Sequence, residues 1–301
     1  KPQIAISTFV QMCAGGYGGN IYAIAADDNY VYVGGTTNQK VKKLNKSDLS
    51  KVAESDYYGG DIWALAQDNN YIYVGGALIR IVRKLNKSNL SQVAMSISYT
   101  ENIQTIAVDN NYVYVGAGNT VKKLNKSDLS QVAESASYGG AIYAIATDNN
   151  YVYVGGVTTR TVKKLNKSNL SLVAESASYG ETIQAIAVDD NYVYLGGRGA
   201  PQTVRKLNKS NLSQVAESAD YGGDILALAQ DDNYIYVGGA TTQTVKKLRK
   251  TNLLQVADSA SYGGDIYAIA ADDNHVYVGG LTAQTVKKFV NLILIGYKEV
   301  T

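Results

Sequence analysis

The sequence contains seven copies of a repeat of about 41 residues. The segment Tyr-Val-Tyr-Val-Gly-Gly begins at Tyr30 and returns, with small changes, at steps of 41, 41, 39, 41, 42 and 41 residues. The later copies begin at Tyr71, Tyr112, Tyr151, Tyr192, Tyr234 and His275. A fixed period of this length indicates a repeat architecture, in which each unit buries its apolar surface against its neighbours.

Each repeat contains four short runs of residues with strand character, separated by turn-forming residues. In the first repeat these runs cover residues 21–26, 30–33, 40–44 and 49–55. The second run alternates tyrosine with valine, which places aromatic rings on one face of a strand and β-branched side chains on the other. The spacings of three and four residues that are typical of helices do not occur in the repeat.

Four strands in about 41 residues is the length of one propeller blade, so the repeats predict an all-β, seven-bladed β-propeller. Each blade is expected to have four antiparallel strands, and residues 1–301 are expected to form a single domain. Apolar side chains on both strand faces fit sheets that pack between two neighbouring sheets. We expect a closed ring, because an open stack would expose its two end sheets.

The two ends of the chain differ from the repeat and predict how the ring closes. Residues 9–14 stand before Tyr17 in the way that a fourth strand stands before the next repeat, and the seventh repeat breaks off after Phe289. We therefore expect the N-terminal segment to supply the outer strand of the last blade. Pairing by residues 292–295 is the competing possibility, and both segments could be accommodated. A closed ring that hides its sheet edges predicts a monomer.

Three features of the repeat are similar to a known group of propellers. They are an Asp-Asn turn, the Tyr-Val-Tyr-Val-Gly-Gly segment, and a basic strand that ends in Leu-Asn-Lys. The repeat resembles bacterial propeller repeats of the quinoprotein-like (PQQ-repeat) and YVTN types. It differs from the quinoprotein pattern by having Val-Ala-Glu-Ser where that pattern has a Trp, and it lacks the Gly-His and Trp-Asp pairs of WD40 blades. The resemblance implies a fold and no particular activity.

Composition argues against nucleic acid as a partner and against a membrane-spanning helix. The net charge is +2 and charged residues make up 18% of the chain, which gives no electrostatic basis for binding nucleic acid. No stretch approaches the roughly 18 consecutive apolar residues that a membrane-spanning helix needs. The sequence does not indicate where in the cell the protein resides.

Acidic turns, lysines and tyrosines recur in the repeat and are candidate sites. Turns such as Asp27-Asp28-Asn29 could help to bind Ca²⁺, but their spacing matches no calcium loop, and Asp and Asn also suit turns for backbone reasons. We expect the repeated lysines, such as Lys42, Lys43 and Lys46, to be neutralised by these acidic turns on the same face. Mid-strand tyrosines such as Tyr30 and Tyr32 are expected to belong to the core. We predict no metal site.

The sequence shows no pattern of catalytic residues. His275 occupies a position that is tyrosine in the other repeats, and Cys13 has no histidine partner that the sequence indicates. No nucleophile elbow, phosphate-binding loop, dinucleotide fingerprint or zinc spacing occurs. We therefore predict that the protein is not an enzyme and that it has no cofactor.

Differences between repeats are concentrated on one face of the predicted ring. Residues 30–70 and 151–191 are identical at 27 of 41 positions. Nine of the 14 differences fall in the loop after Gly-Gly and in the segment that leads into the next first strand, which are 36–40 and 56–63 in the first copy. These two connections lie on one face of a propeller, called here the variable face. The hairpin turns at 27–29 and 45–48, and their counterparts, lie on the opposite face, called here the turn face.

The variable face carries the candidate binding residues. One position runs through the repeats as Tyr22, Trp63, Gln104, Tyr143, Gln184, Leu226 and Tyr267, and the nearby loops add Arg80, Arg160 and Arg198. Trp, Tyr and Arg are common anchors of binding sites on loops that a rigid scaffold holds. The favoured hypothesis is a non-catalytic module that presents this face to a protein partner. The alternative is a lectin-like module with several equivalent carbohydrate sites, one in each blade. Drift of exposed loops would also explain the differences.

Overall fold

The computed structural model describes residues 7–200 and 202–290, and these residues form seven β-sheets arranged in a ring. The first strands of neighbouring sheets contact one another, and the first strand of the seventh sheet contacts that of the first sheet. The prediction of an all-β, seven-bladed propeller with four antiparallel strands in each blade is confirmed. The blades are numbered 1 to 7 in the order of their first strands along the chain.

The strands follow the repeat closely. The first and innermost strands are Ile21–Ala26, Ile62–Gln67, Ile103–Val108, Ile142–Thr147, Ile183–Val188, Ile225–Gln230 and Ile266–Ala271. The second strands are Tyr30–Gly35, Tyr71–Gly76, Tyr112–Ala117, Tyr151–Gly156, Tyr192–Gly197, Tyr234–Gly239 and His275–Gly280. The third strands are Lys42–Asn45, Arg83–Asn86, Thr120–Asn125, Lys163–Asn166, Arg205–Asn208, Lys246–Arg249 and Thr285–Val290. The fourth strands of blades 1 to 6 are Lys51–Glu54, Gln92–Met95, Gln131–Glu134, Leu172–Glu175, Gln214–Glu217 and Gln255–Ser259.

The fourth strand of blade 7 comes from the N-terminal part of the chain. Gln11–Gly16 pairs antiparallel with Thr285–Val290 in the same sheet. Residues 292–295, the competing segment, lie outside the described residues. A further strand, Ser7–Phe9, pairs in parallel with Gln255–Ser259 and becomes a fifth strand of blade 6. The sequence had not indicated this second pairing.

Each pair of neighbouring blades shares a cluster of buried apolar side chains. Between blades 1 and 2, the fully buried Tyr32 packs with Ile62, and between blades 7 and 1, Tyr277 packs with Ile21. The blades approach so closely that a Cβ atom added to Gly34 would lie 2.4 Å from Cγ2 of Ile62. The second tyrosine of the repeated segment therefore belongs to the core, as predicted, whereas Tyr30 is only partly buried. The first glycine of Gly-Gly is needed for the close packing of neighbouring sheets.

A polar network on the turn face also joins neighbouring blades. The Asp27 carboxylate accepts hydrogen bonds from the backbone N–H groups of Asn29 and Tyr30 and from the Tyr32 hydroxyl, and it pairs with Lys87 of blade 2 at 3.0 Å. The corresponding ion pairs between neighbouring blades are Asp68–Lys126, Asp109–Lys167, Asp148–Lys209, Asp189–Lys250 and Asp272–Lys46. The expected neutralisation of Lys46 by an acidic turn is therefore confirmed.

The other two lysines of the repeat bind backbone carbonyl groups. Lys43 donates to the carbonyl oxygen of Lys87 at 2.8 Å, and its Nζ lies 3.8 Å from the centre of the Tyr30 ring. Lys42 donates to the carbonyl oxygen of Tyr17 at 2.8 Å. The expected ion pairs with acidic turns are therefore wrong for Lys42 and Lys43, whose roles are structural. No helix of the described segments 7–200 and 202–290 has the length and apolar character to cross a membrane.

Candidate functional site

The second residue of each first strand lies at a β-bulge. In blade 1, Ile21 pairs with Gly35 and Ala23 pairs with Gly34, so the register shifts at Tyr22. The same shift occurs in the first strand of all seven blades. A bulge bends the strand locally and re-aims a side chain. The bulged residue is one of the positions that vary between repeats.

The seven bulged residues line one cavity at the centre of the ring. Its volume is about 480 Å³, which is within the range of roughly 300–1,000 Å³ that is typical of ligand pockets. The next two residues of each first strand, mostly alanine and isoleucine, also line it. The lining side chains that differ between blades are Tyr22, Trp63, Gln104, Tyr143, Gln184, Leu226 and Tyr267, all partly exposed. The repeat positions thus converge on one asymmetric site and do not form separate pockets.

The polar groups of these cavity residues are unpartnered. Among the described residues, no hydrogen bond or ion pair is made by the hydroxyls of Tyr22, Tyr143 and Tyr267, the Trp63 indole N–H, or the side-chain amides of Gln104 and Gln184. The Tyr22 and Tyr267 rings meet edge to face, with centroids 5.2 Å apart. In contrast, the core Tyr138 hydroxyl donates to the carbonyl oxygen of Thr161 at 2.6 Å. The cavity therefore offers unused hydrogen-bonding groups beside aromatic surface.

Only one of the three predicted arginines lines the cavity. Arg198 does so, and its guanidinium makes no hydrogen bond or ion pair within the described part of the chain. Arg80 donates to the carbonyl oxygen of Thr100 at 2.8 Å, and Arg160 donates to that of Gly180 at 2.8 Å. These two arginines lie in loops of the variable face outside the cavity. The structure therefore brings together seven of the nine predicted residues, and Leu226 joins them.

Arg198 is the positive charge of the cavity wall. Burial raises the pKa of the Tyr267 hydroxyl, and the Arg198 guanidinium, which lines the same cavity, acts in the opposite direction. Smaller contributions from Asp265 and Asp224 raise the same pKa. One oxygen of Asp224 accepts a hydrogen bond from the Gly199 backbone N–H at 3.0 Å. Neither carboxylate lies within ion-pairing distance of Arg198.

The remaining candidates have structural positions. The acidic turns are Asx turns, since one oxygen of Asp27 accepts two backbone hydrogen bonds. His275 lies at the start of a second strand, where its backbone N–H donates to Asp272, and burial lowers the pKa of its imidazole. Cys13 is unpaired and half-buried in the closing strand, and burial raises the pKa of its thiol. Within 7–200 and 202–290, no group of three or more acidic, histidine or cysteine side chains is placed to hold a metal ion.

Sequence reasoning missed the wall of the cavity. Ala64, Leu65 and their counterparts in the other blades line it beside the bulged residues. These positions are nearly constant between repeats, so a comparison of repeats cannot distinguish a cavity wall from the core. The Gly-Gly pair that lies opposite the bulge recurs in nearly every repeat, and it is the sequence feature that indicates the bulge.

Comparison with solved structures supports the same fold. The chain superposes on the WD40 β-propeller domain of Doa1 with a TM-score of 0.81 and 14% identity, covering 94% of this chain and 97% of that one. It also superposes on the computationally designed Ika8 protein with a TM-score of 0.74 and 18% identity, covering 93% and 99%. No protein-family model matches the chain, and no curated protein matches it. At these identities the similarities show the propeller fold, and the resemblance to quinoprotein-like and YVTN repeats stays a prediction.

Proposed function

We propose that the protein is a non-catalytic binding module with one composite site, the central cavity, which receives a segment of a protein partner. The observation that carries this proposal is the convergence of seven side chains of four residue types, one from each blade, on a single cavity. Their polar groups are unpartnered, whereas the polar groups between the blades are joined to one another. An unpaired polar group beside apolar surface can bind a ligand without first breaking an internal hydrogen bond.

The chemistry of the lining supports binding rather than catalysis. Among the described residues, the cavity wall has no carboxylate, imidazole or thiol that would act as a general base or nucleophile. Its polar groups are phenol, indole, amide, guanidinium and the hydroxyl of Thr105. Aromatic and arginine side chains are the residues that most often dominate protein interfaces. The mixture of Trp63, three tyrosines and Arg198 therefore favours a protein segment as the ligand.

A selection experiment tests the proposal. A display library of random peptides would be selected on the wild-type protein, and binders would be counter-selected on the double variant Trp63→Gln, Tyr143→Gln. Glutamine already occupies this position in blades 3 and 5, so the fold should tolerate both changes. We expect peptides that bind the wild-type protein at least tenfold more tightly, about 1.4 kcal/mol, than the variant.

A control on the turn face makes the result specific. Asn69 is exposed in a turn of that face, and Asn69→Ala should leave the selected peptides bound. Lys46 and Asp68 are unsuitable as controls because both form ion pairs between blades. Failure to recover any peptide that depends on the cavity would contradict the proposed function.

The lectin-like alternative has one observation in its favour. Depressions lie between neighbouring turns of the turn face, and one of about 660 Å³ is lined by Asp27, Asn29, Tyr30 and Asp68. Similar depressions recur elsewhere on that face. However, the Lys43 ammonium covers one face of the Tyr30 ring, and Asp27 is already hydrogen-bonded. Several ligands bound per ring, with one fewer in Asn69→Ala, would favour this alternative.

A further inference from the structure

Arg198 occupies a loop position that no other blade fills with a charged residue. It follows directly on the second glycine of Gly-Gly, where blades 1, 2 and 4 have Thr36, Ala77 and Val157. Its backbone N–H donates to the carbonyl oxygen of Thr182 at 3.0 Å, which fixes the start of the loop. The repeat step that contains this loop is 42 residues, one more than the commonest step. Blade 5 therefore differs from the other blades at the point where its loop meets the cavity.

The other two predicted arginines of the variable face have hydrogen-bond or ion-pair partners within the protein. Arg160 lies 3.7 Å from the Glu181 carboxylate and donates to a backbone carbonyl group. Arg80 donates to the side-chain oxygen of Asn102 at 3.3 Å and to a backbone carbonyl group. Arg198, by comparison, is exposed at the cavity without a partner among the described residues. Its five N–H donors are available to a ligand.

We infer that the central cavity recognises an acidic side chain of the partner, Asp or Glu, next to an apolar or aromatic residue. This inference rests on the proposed function. The carboxylate binds the Arg198 guanidinium, whose planar pair of donors matches the two carboxylate oxygens. The neighbouring side chain packs on Tyr267, Tyr22 and Trp63, which come from three successive blades.

Charge near the site favours a carboxylate over a phosphate group. Arg198 is the one cationic side chain that lines the cavity in the described residues. Asp224 and Asp265 lie close enough to Tyr267 to affect its pKa. A dianionic phosphate would meet one positive charge and two negative charges in this region, whereas a carboxylate carries a single charge that the guanidinium balances. The cavity is therefore matched to a monoanion.

Capped dipeptides test this inference directly. Trp63 is the one tryptophan of the chain, so its fluorescence reports binding at the cavity. The probes are acetyl-Glu-Phe-amide, its neutral isostere acetyl-Gln-Phe-amide, the cationic acetyl-Lys-Phe-amide, and acetyl-Gln-Phe with a free terminal carboxylate. We expect the Glu probe to bind at least tenfold more tightly than the Gln-amide probe, about 1.4 kcal/mol.

Arginine variants assign the preference to one residue. Arg198→Gln should remove the difference between the Glu and Gln probes, and Arg198→Lys should keep part of it, because lysine retains the charge but not the planar donors. Arg80→Gln and Arg160→Gln are matched controls that should keep the full preference. Because the Arg198 guanidinium has no partner in the described structure, Arg198→Gln should melt at the wild-type temperature.

Each other outcome overturns the inference. Equal binding of the Glu and Gln-amide probes, tighter binding of the Lys probe, or a Glu preference that survives in Arg198→Gln would contradict it. Tightest binding of the probe with the free terminal carboxylate would show that a chain terminus, and not an acidic side chain, is recognised. The peptide selection described above is independent, since cavity-dependent peptides without acidic residues would uphold the proposed function and refute only this inference.

Discussion

The turn face and the central cavity are built from the same seven repeats, yet they use their polar groups in opposite ways. On the turn face, the Asp109 carboxylate accepts four hydrogen bonds or ion pairs, from Asn111, Tyr112, Tyr114 and Lys167. In the cavity, neither the Tyr143 hydroxyl nor the Gln184 amide has a partner within the described chain. Groups that hold the ring together are satisfied, and groups of the cavity are left available.

The same contrast appears in the sequence of the repeats. The aspartate that begins each turn is constant, because a change there would break contacts between two blades. The bulged position is tyrosine, tryptophan, glutamine or leucine, because nothing in the described fold depends on its side chain. At the bulged position, variation between repeats thus marks side chains that the fold does not use, and their convergence on one cavity suggests a use outside the fold.

Removing the closing strand should have the largest effect on the ring. Deletion of residues 1–16 removes the fourth strand of blade 7 and exposes the edge of Thr285–Val290, where Val286 and Phe289 are fully buried. We expect loss of cooperative unfolding or strong self-association, measured by thermal melting and light scattering. Deletion of residues 1–9 is the control, because among the described residues it removes the fifth strand of blade 6 and leaves the closing strand in place. A monomeric 1–16 deletion that melts at the wild-type temperature would show that the strand is dispensable.

Acid should weaken the turn face in several blades at once. Burial raises the pKa of Asp109, but the Lys167 ammonium and backbone N–H groups outweigh it and hold this pKa below its usual value, and Asp27, Asp68 and Asp148 behave alike. Because the unfolded chain then binds protons at a higher pH than the folded chain, the free energy of unfolding should fall as pH drops below about 4. Urea unfolding at a series of pH values measures this. A flat profile in that range would refute the stabilising role of the acidic turns.

A single aspartate of the turn face should matter more than its neighbour. Asp109→Ala removes the acceptor of all four interactions and leaves Lys167 and Tyr114 without it, which should lower the free energy of unfolding by about 3 kcal/mol. Asn110→Ala, in the same turn and exposed, should change it by less than about 0.5 kcal/mol. Chemical denaturation of both variants gives the comparison. Equal effects would mean that the network contributes little.

Removal of one tyrosine hydroxyl on the turn face and one in the cavity should give the smallest effects. Tyr114→Phe removes the donor to Asp109 and should cost about 1 kcal/mol of stability. Tyr143→Phe removes a hydroxyl without a partner in the described structure and should cost nearly nothing. If Tyr143→Phe is as destabilising as Tyr114→Phe, the cavity hydroxyl has a structural role that contradicts its assignment to binding.

Much of this structure is predictable from the sequence, because the same residue types have the same structural role in each repeat. Tyr32, Gly34 and Asp27 each have one role that recurs blade by blade, so periodicity alone indicates strands, turns and core. The cavity is less predictable, because its position depends on a bulge at Tyr22 and on how seven strands meet at the axis. Loop contacts are the least predictable, since nothing in the sequence distinguishes the paired Arg160 from the unpaired Arg198.

The number of ligands bound by one ring tests the central claim most directly. Isothermal titration of the wild-type protein with a peptide selected on the cavity should give one peptide per chain. The same titration on Trp63→Gln, Tyr143→Gln should show binding weakened at least tenfold, or about 1.4 kcal/mol, with Asn69→Ala unchanged. Several equivalent peptides per chain, or binding that survives in the double cavity variant, would contradict a single composite site at the centre of the ring.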